Sequence, residues 1–271
     1  MPLNIVIGVI KMRFIDRTSE ESCNNFGTPM KIVEYNSNMD ITVEFQDEYK
    51  ARIHTSYQMF KNGGVRNPYD KTVYGVGYIG EGKYKSKGKD GKQTSAYTTW
   101  VSMIKRCYDP YYLNRELTYI DCYVCKEWHC FQNFAEWFYK NYYEVENERM
   151  HLDKDILLKG NKIYSPETCV FVPQRINLLF VKADKARGKY PIGVNYHKTP
   201  NNLRVRCSVF ENGKTKNKNL GSFPLNKPFQ AFYTYKVFKE NYIKQIADEY
   251  KGIIPQKLYE VLYKYEVEIN D

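Results

Sequence analysis

Residues Arg149–Asn177 read RMHLDKDILLKGNKIYSPETCVFVPQRIN, and the fold of the chain is decided here. His151, Asp153 and Asp155 alternate along an extended segment, so they share one face. Gly160-Asn161 is a hairpin signal between Ile156-Leu157-Leu158 and Ile163-Tyr164. Ser165-Pro166-Glu167 turns the chain into a short apolar strand, Val170-Phe171-Val172. Pro173 suits a first helical position ahead of Gln174, Arg175, Ile176 and Asn177. A ββα unit this small, with carboxylates on a strand and an amide on the next helix, can hold one divalent cation. Such a cation can clamp a phosphodiester.

Working outward, 96–108 has helical spacing, with Trp100, Met103, Ile104 and Cys107 on one stripe and Lys105 and Arg106 off it, where a phosphate could meet them. Asp109-Pro110 ends that helix. A second helix is expected over 130–143, with Phe131, Phe134, Ala135 and Phe138 inward. Cys122-x-x-Cys125, followed by His129 and Cys130, is half of a zinc knuckle without an evident second pair; buried thiols packing around Trp128 are the simpler reading. Upstream, Ile41, Val43 and Phe45 alternate with Thr42 and Glu44 after the turn residues Asn36-Ser37-Asn38, as in a small β-barrel or meander. His54 reads as a strand surface residue. Glycines and lysines crowd 61–96, as in a solvated basic linker able to track a DNA backbone; the spacing is not that of a P-loop.

Downstream lies the charge. Lys182–Lys239 holds thirteen Lys or Arg against two acids, Asp184 and Glu211, a net +11 that exceeds the formal +10 of all 271 residues. The positive field is therefore focused on one segment. That segment has the pattern of strands at 193–197, 203–210 and 219–223, with Leu203, Val205, Cys207 and Val209 inward and an Asn212-Gly213 turn. A helix over 229–250 would cover the apolar face with Phe229, Phe232, Tyr233, Ile243, Ala247 and Tyr250. The free face would present Asn195, His197, Arg204, Arg206, and Lys214, Lys216 and Lys218 from the second turn, and arginine and asparagine can read guanine and adenine in the major groove. After Pro255, Leu258, Leu262 and Tyr265 form the stripe of a last helix, packed on the one before it.

The expected fold class is α+β with several domains: an N-terminal arm (1–26), a small β domain (27–72), a basic Gly-rich linker (73–96), the ββα module (97–181), a three-stranded antiparallel sheet packed on a helix (188–251) and a C-terminal helix (252–271). Leu3–Ile10 is read as a β-prone arm, or as an upstream extension with Met12 as an alternative start. Seven scattered cysteines argue for a reducing compartment rather than a disulfide framework, and no apolar run nears the ~20 residues of a membrane span. The 26 Tyr and 14 Phe interleaved with basic charge suit a polyanion with stackable bases.

Leu152-Asp153-Lys154-Asp155, Tyr164-Ser165-Pro166-Glu167-Thr168-Cys169 and Ile176-Asn177, with Trp100-x-x-Met103-x-x-Arg106-Cys107-Tyr108, Glu127-Trp128 and Phe131-x-Asn133-Phe134-x-x-Trp137 upstream, resemble the HNH module of phage-encoded homing-type endonucleases. Gly193-Val194, Leu220-Gly221-x-Phe223 and Ala231-x-x-x-Tyr235 resemble the Apetala-type (ethylene-response-factor) DNA-binding domain, which often follows such modules. The resemblance implies that Asp153 and Asn177 hold Mg²⁺ or Mn²⁺, that Arg175 or Lys154 neutralises phosphate, and that the host cytoplasm is the place of action. The motif is degenerate. Lys154 stands where the general-base His belongs and Thr168 where the loop Asn belongs, and a lysine with a pKa of about 10.4 is a poor base. Either His151 or Asp155 takes the proton, or the protein binds double-stranded DNA without cutting it, as a regulator or as an inhibitor of a host DNA-targeting defence enzyme.

Overall fold

The structure, a computed structural model, describes residues 15–181, 189–211, 214–269 and 271. The arm read at Leu3–Ile10, the charges at 182–187 and the Asn212-Gly213 turn lie outside the described residues. The chain divides into two compact units: one runs up to Lys85 and includes His129–Gln132, and the other comprises Ser86–Trp128 and Asn133–Asp271.

In the first unit β1 (Glu21–Cys23), β2 (Pro29–Ser37), β3 (Asp40–Phe45) and β4 (Arg52–Thr55) form an antiparallel meander in chain order. It is an open sheet, not the expected small barrel: β1 and β4 are its two edges. Ile41, Val43 and Phe45 are fully buried, as the alternation requires. This single apolar face is covered by Phe60 from α1 (Tyr57–Lys61) and by Val65, so the sheet has no need to wrap onto itself. The turn between β2 and β3 falls at Asn38-Met39, after Ser37. The Gly-rich stretch is folded rather than a free linker: up to Lys85 it belongs to this unit, and beyond it a turn is closed by the Lys87–Gln93 bridge and by the Thr94 N–H donating to the Ser86 carbonyl at 3.0 Å. Tyr84 and Gln132 exchange two hydrogen bonds of 3.0 Å. Gly82 makes room for them, since a Cβ there would lie 2.3 Å from the Gln132 Oε1.

In the second unit α2 (Ser95–Tyr108) starts at Thr94, whose hydroxyl accepts the Tyr97 N–H. It buries the expected Trp100, Met103, Ile104 and Cys107. Asp109 caps α3 (Pro110–Arg115), which has proline in its first turn. After β5 (Tyr123–Val124) comes α4 (Phe131–Asn141), and the Trp100 indole donates to the Trp128 carbonyl at 2.7 Å. Then follow β6 (Met150–Asp153), β7 (Ile163–Tyr164), β8 (Val170–Pro173) and α5 (Gln174–Asn177).

The pairing in this ββα unit differs from the sequence expectation. β6 pairs antiparallel with β8, while β7 runs parallel to β5. The cause is local: one Asp153 carboxylate oxygen accepts the N–H groups of both Asp155 (2.9 Å) and Ile156 (2.7 Å). That turn ends β6 at Asp153, so Ile156–Leu158 never extends into a hairpin arm. Gly160, at φ +80°, still reverses the chain. Pro173 closes β8 and precedes the first turn of α5 rather than lying inside it.

β9 (Val194–His197), β10 (Asn202–Glu211) and β11 (Lys214–Phe223) form an antiparallel sheet with β10 central, and α6 (Pro228–Glu249) packs on it. Leu203, Val205, Cys207 and Val209 are buried as expected. The phase of α6 is not as expected: Phe229 (72 % exposed) and Tyr233 (64 %) face outward, while Ala231 and Tyr235 enter the core. Gly193 pins this phase, because the Tyr235 ring lies where a Cβ would sit, only 2.1 Å away, and Gly193 has φ +76°. Gly193→Ala is therefore expected to cost about 2–4 kcal/mol, from overpacking added to a left-handed backbone, measured by urea denaturation.

α7 (Gln256–Tyr263) packs on α6 through Leu258 and Leu262, and the Tyr259 and Tyr263 hydroxyls donate to Asp248. One apolar core joins Ile156, Val170, Val172 and Ile176 of the ββα unit to Val209, Ile243, Ile246 and Leu258. The two segments are thus parts of one packed body.

Candidate functional site

On β6, His151 and Asp153 point to one face and Leu152 to the other, where it is buried. Their cross-strand partners are Val172 and Val170, which pack with Ile176 of α5. This packs Ile176 of α5 on the face that carries His151 and Asp153.

The His151 Nε2 is buried and has no hydrogen-bond partner among the described residues. Burial, then Arg149 and Arg106, hold the imidazole below its ordinary pKa, so it is neutral at pH 7. Asp153 moves the other way: burial, then the neighbouring Asp155 carboxylate, raise it to about 6 against the pull of its two backbone N–H bonds. Lys154 is turned inward, 7 % exposed, with its ammonium 3.1 Å from Asp155 and 5.8 Å above the Tyr164 ring. Burial works against its charge, yet Asp155 and its other neighbours hold its pKa above the ordinary value, so it cannot serve as a base near neutrality. Asn161 and Thr168 are structural. The Asn161 amide donates to the Lys154 and Ile163 carbonyls, and Thr168 donates to the Ile163 carbonyl.

Arg106 completes the cluster. Its guanidinium lies 3.5 Å from the Tyr164 hydroxyl and 5.8 Å from the Tyr119 ring centre, and among the described residues no carboxylate pairs with it. Its sequence signals were its position off the apolar stripe of α2 and its place in the Trp100-x-x-Met103-x-x-Arg106-Cys107-Tyr108 segment. Arg175, read from sequence as a phosphate contact, is instead engaged within the protein. It is 2.5 Å from Glu249, its guanidinium stands over the Phe210 ring, and its N–H donates to Glu148, which also accepts from the Tyr250 hydroxyl.

Metal donors are few. Among the described residues no group of three or more His, Cys, Asp or Glu side chains comes together. Asp153 beside Asp155 does concentrate negative charge, which the raised Asp153 pKa records. Neighbouring carboxylates are the oxygen donors a Mg²⁺-type ion takes, with its remaining ligands from water and phosphate. Burial pushes the Cys125 thiol up to about 11 and Cys107 and Cys169 up to about 12, and among the described residues no second pair of ligands joins Cys122 and Cys125.

The outer face of the sheet is set by register. Arg204 lies opposite Asn195 on β9 and Ser222 on β11, Arg206 opposite Asn219, and Ser208 opposite Asn217. Cross-strand partners share a face, so Asn195, His197, Arg204, Arg206, Ser208, Thr215, Asn217 and Asn219 form one polar surface. His197 Nδ1 is 3.5 Å from the Arg204 guanidinium. The lysines depart from the sequence expectation: Lys218 lies opposite Cys207 and Lys216 opposite Val209, so Lys214, Lys216 and Lys218 point to the helix side. The Lys218 ammonium, 5.2 Å from the Phe238 ring centre, confirms that side. Asn217 and Asn219 take the place expected for the lysines.

No helix among the described residues is long and apolar enough to cross a membrane. The chain matches no protein-family model, no curated protein and no solved structure.

Proposed function

We propose that the chain is a sequence-directed double-stranded DNA-binding protein whose ββα site nicks or cuts DNA with a divalent metal. The observation that carries the cutting is the buried, unpartnered Nε2 of a neutral His151, two residues from Asp153 on the same strand face. Asp153 and Asn177 would hold Mg²⁺ or Mn²⁺, assisted by Asp155, and the ion would supply charge for the phosphate and an acidified water. His151 accepts the proton from the attacking water, and Arg106 faces the phosphate charge that builds up. Lys154 holds Asp155 in place. The outer sheet face, with arginine, asparagine and hydroxyl side chains, carries the chemistry that reads base edges. The resemblance to phage HNH endonucleases with an Apetala-type domain supports the same assignment.

The test is nicking of supercoiled plasmid in Mg²⁺ or Mn²⁺. His151→Ala is expected to slow nicking about 10²–10⁴-fold, the usual worth of a general base. Lys154→Met should stay within about tenfold of the parent, because its ammonium is spent on Asp155. A larger loss from Lys154→Met than from His151→Ala would reverse the two roles. Lys154 in the place of the family's histidine favours a second reading, a binding-only protein that regulates DNA or blocks a host DNA-targeting enzyme. Tight duplex binding with no nicking in either metal would establish it.

A further inference from the structure

β9 covers only the first part of β10. The Arg206 N–H still reaches the Gly193 carbonyl (2.9 Å), and four residues on, the Phe210 N–H bonds the Tyr242 hydroxyl (2.7 Å). Between them the edge of β10 is open, and by strand alternation the Ser208 N–H faces the same edge. A cavity of about 560 Å³ lies there, lined by Arg206, Ser208 and Asn217 on the outer side and by Tyr235, Lys239, Tyr265 and Asp271 on the inner side, the Asp271 carboxylate being paired with Lys159 at 2.7 Å.

Lys239 is the unusual member. It sits on the buried side of α6 at 9 % exposure, and among the described residues no hydrogen bond or ion pair engages its ammonium. Burial holds its pKa below the ordinary lysine range, with the Cys207 thiol as the one neighbour opposing that shift. A buried lysine without a partner is costly, and methionine would fill the same helix position at less cost. The volume is far larger than an inorganic anion and falls in the range of small-ligand sites, and two tyrosine rings with an amide suit a planar heterocycle.

We propose that this cavity binds the phosphate group of a nucleotide, with the Lys239 ammonium as its anion partner and Arg206 at the rim. The phosphate has two sources, a free mononucleotide or the phosphorylated end of a DNA strand. The site is separate from the ββα cluster, and the proposal does not depend on nuclease activity.

The test is thermal denaturation and calorimetric titration of the full chain with inorganic phosphate, a nucleoside 5′-monophosphate and the matching uncharged nucleoside. The monophosphate should raise Tm and bind, and the nucleoside should do neither. Lys239→Met should fold, with an unliganded Tm equal to or above the parent's, and should bind the monophosphate at least about tenfold more weakly, as expected for loss of a charge-assisted hydrogen bond. Lys239→Arg should keep part of the binding. Competition by a 5′-phosphorylated duplex but not by its 5′-hydroxyl twin identifies the strand end as the source; no competition by either identifies the free nucleotide. Equal monophosphate binding by the parent and Lys239→Met, or no binding by the parent, overturns the proposal. Failure of the nicking assay leaves these readouts untouched.

Discussion

Asp153→Asn is expected to abolish metal-dependent nicking, by about 10³-fold or more, while making the metal-free protein more stable above pH 6. The first effect follows from the removal of the carboxylate proposed to hold the metal ion, which Asp155 only assists. The second follows from its environment. Burial and Asp155 raise Asp153 to about 6 in the folded chain, against about 3.9 when unfolded. Between those values the folded state keeps a proton that the unfolded state has released. Stability therefore falls as pH rises from about 4 to about 6, and the penalty remains in full above that. The gap between the folded and unfolded values sets an upper limit of about 3 kcal/mol, and partial exposure together with the charge of Asp155 reduces this to about 1–2 kcal/mol. Asparagine does not ionise, and its carbonyl oxygen can still accept the Asp155 and Ile156 N–H groups. Thermal denaturation in chelator should show Asp153→Asn gaining several degrees over the parent at pH 8 and losing that gain near pH 4. A variant less stable than the parent at pH 8 would mean that Asp153 is an ordinary structural carboxylate.

Replacing Arg204 and Arg206 together by glutamine is expected to weaken duplex binding about 10²-fold and to reduce the salt slope by up to about two. Both side chains belong to the polar outer face, on which asparagines and hydroxyls surround them. The control comes from register. Lys216→Gln with Lys218→Gln removes the same formal charge from the opposite face, so it should cost no more than about fivefold. Fluorescence anisotropy on a labelled mixed-sequence duplex between about 50 and 200 mM salt separates the two, and about two charges are at stake in each pair. A larger loss from the lysine pair would move the duplex to the helix side of the sheet.

Much of the fold was legible in local pattern. Trp100, Met103, Ile104 and Cys107 repeat at helical spacing, and Leu203 to Val209 alternate; both sets are buried as that spacing demands. Partners were not legible. Ile163-Tyr164 is too short to announce that it pairs in parallel with Tyr123-Val124, some forty residues away, and no periodicity encodes such a contact. A run of alternating lysines on β11 carries no mark of which face it takes until the register with Cys207 and Val209 is known. The outward turn of Phe229 and Tyr233 depends on Gly193 meeting Tyr235 across the sheet, a tertiary fact. In the ββα site, Asp153 and His151 were named from type and spacing. That Lys154 turns inward and Arg106 turns toward Tyr164 was visible only once α2 lay against β5, with β7 beside it.

The apolar core that joins Val170, Val172 and Ile176 to Ile243, Ile246 and Leu258 constrains how such a protein can diversify. A recognition cassette cannot be exchanged alone: a chimera cut between residues 181 and 189 would strip a lining from each half and leave two sticky fragments. On the proposed function, new target sequences would arise by substitution on the outer strand face, with the distance from bound bases to the scissile bond held constant, like the jaws and anvil of a single forged tool.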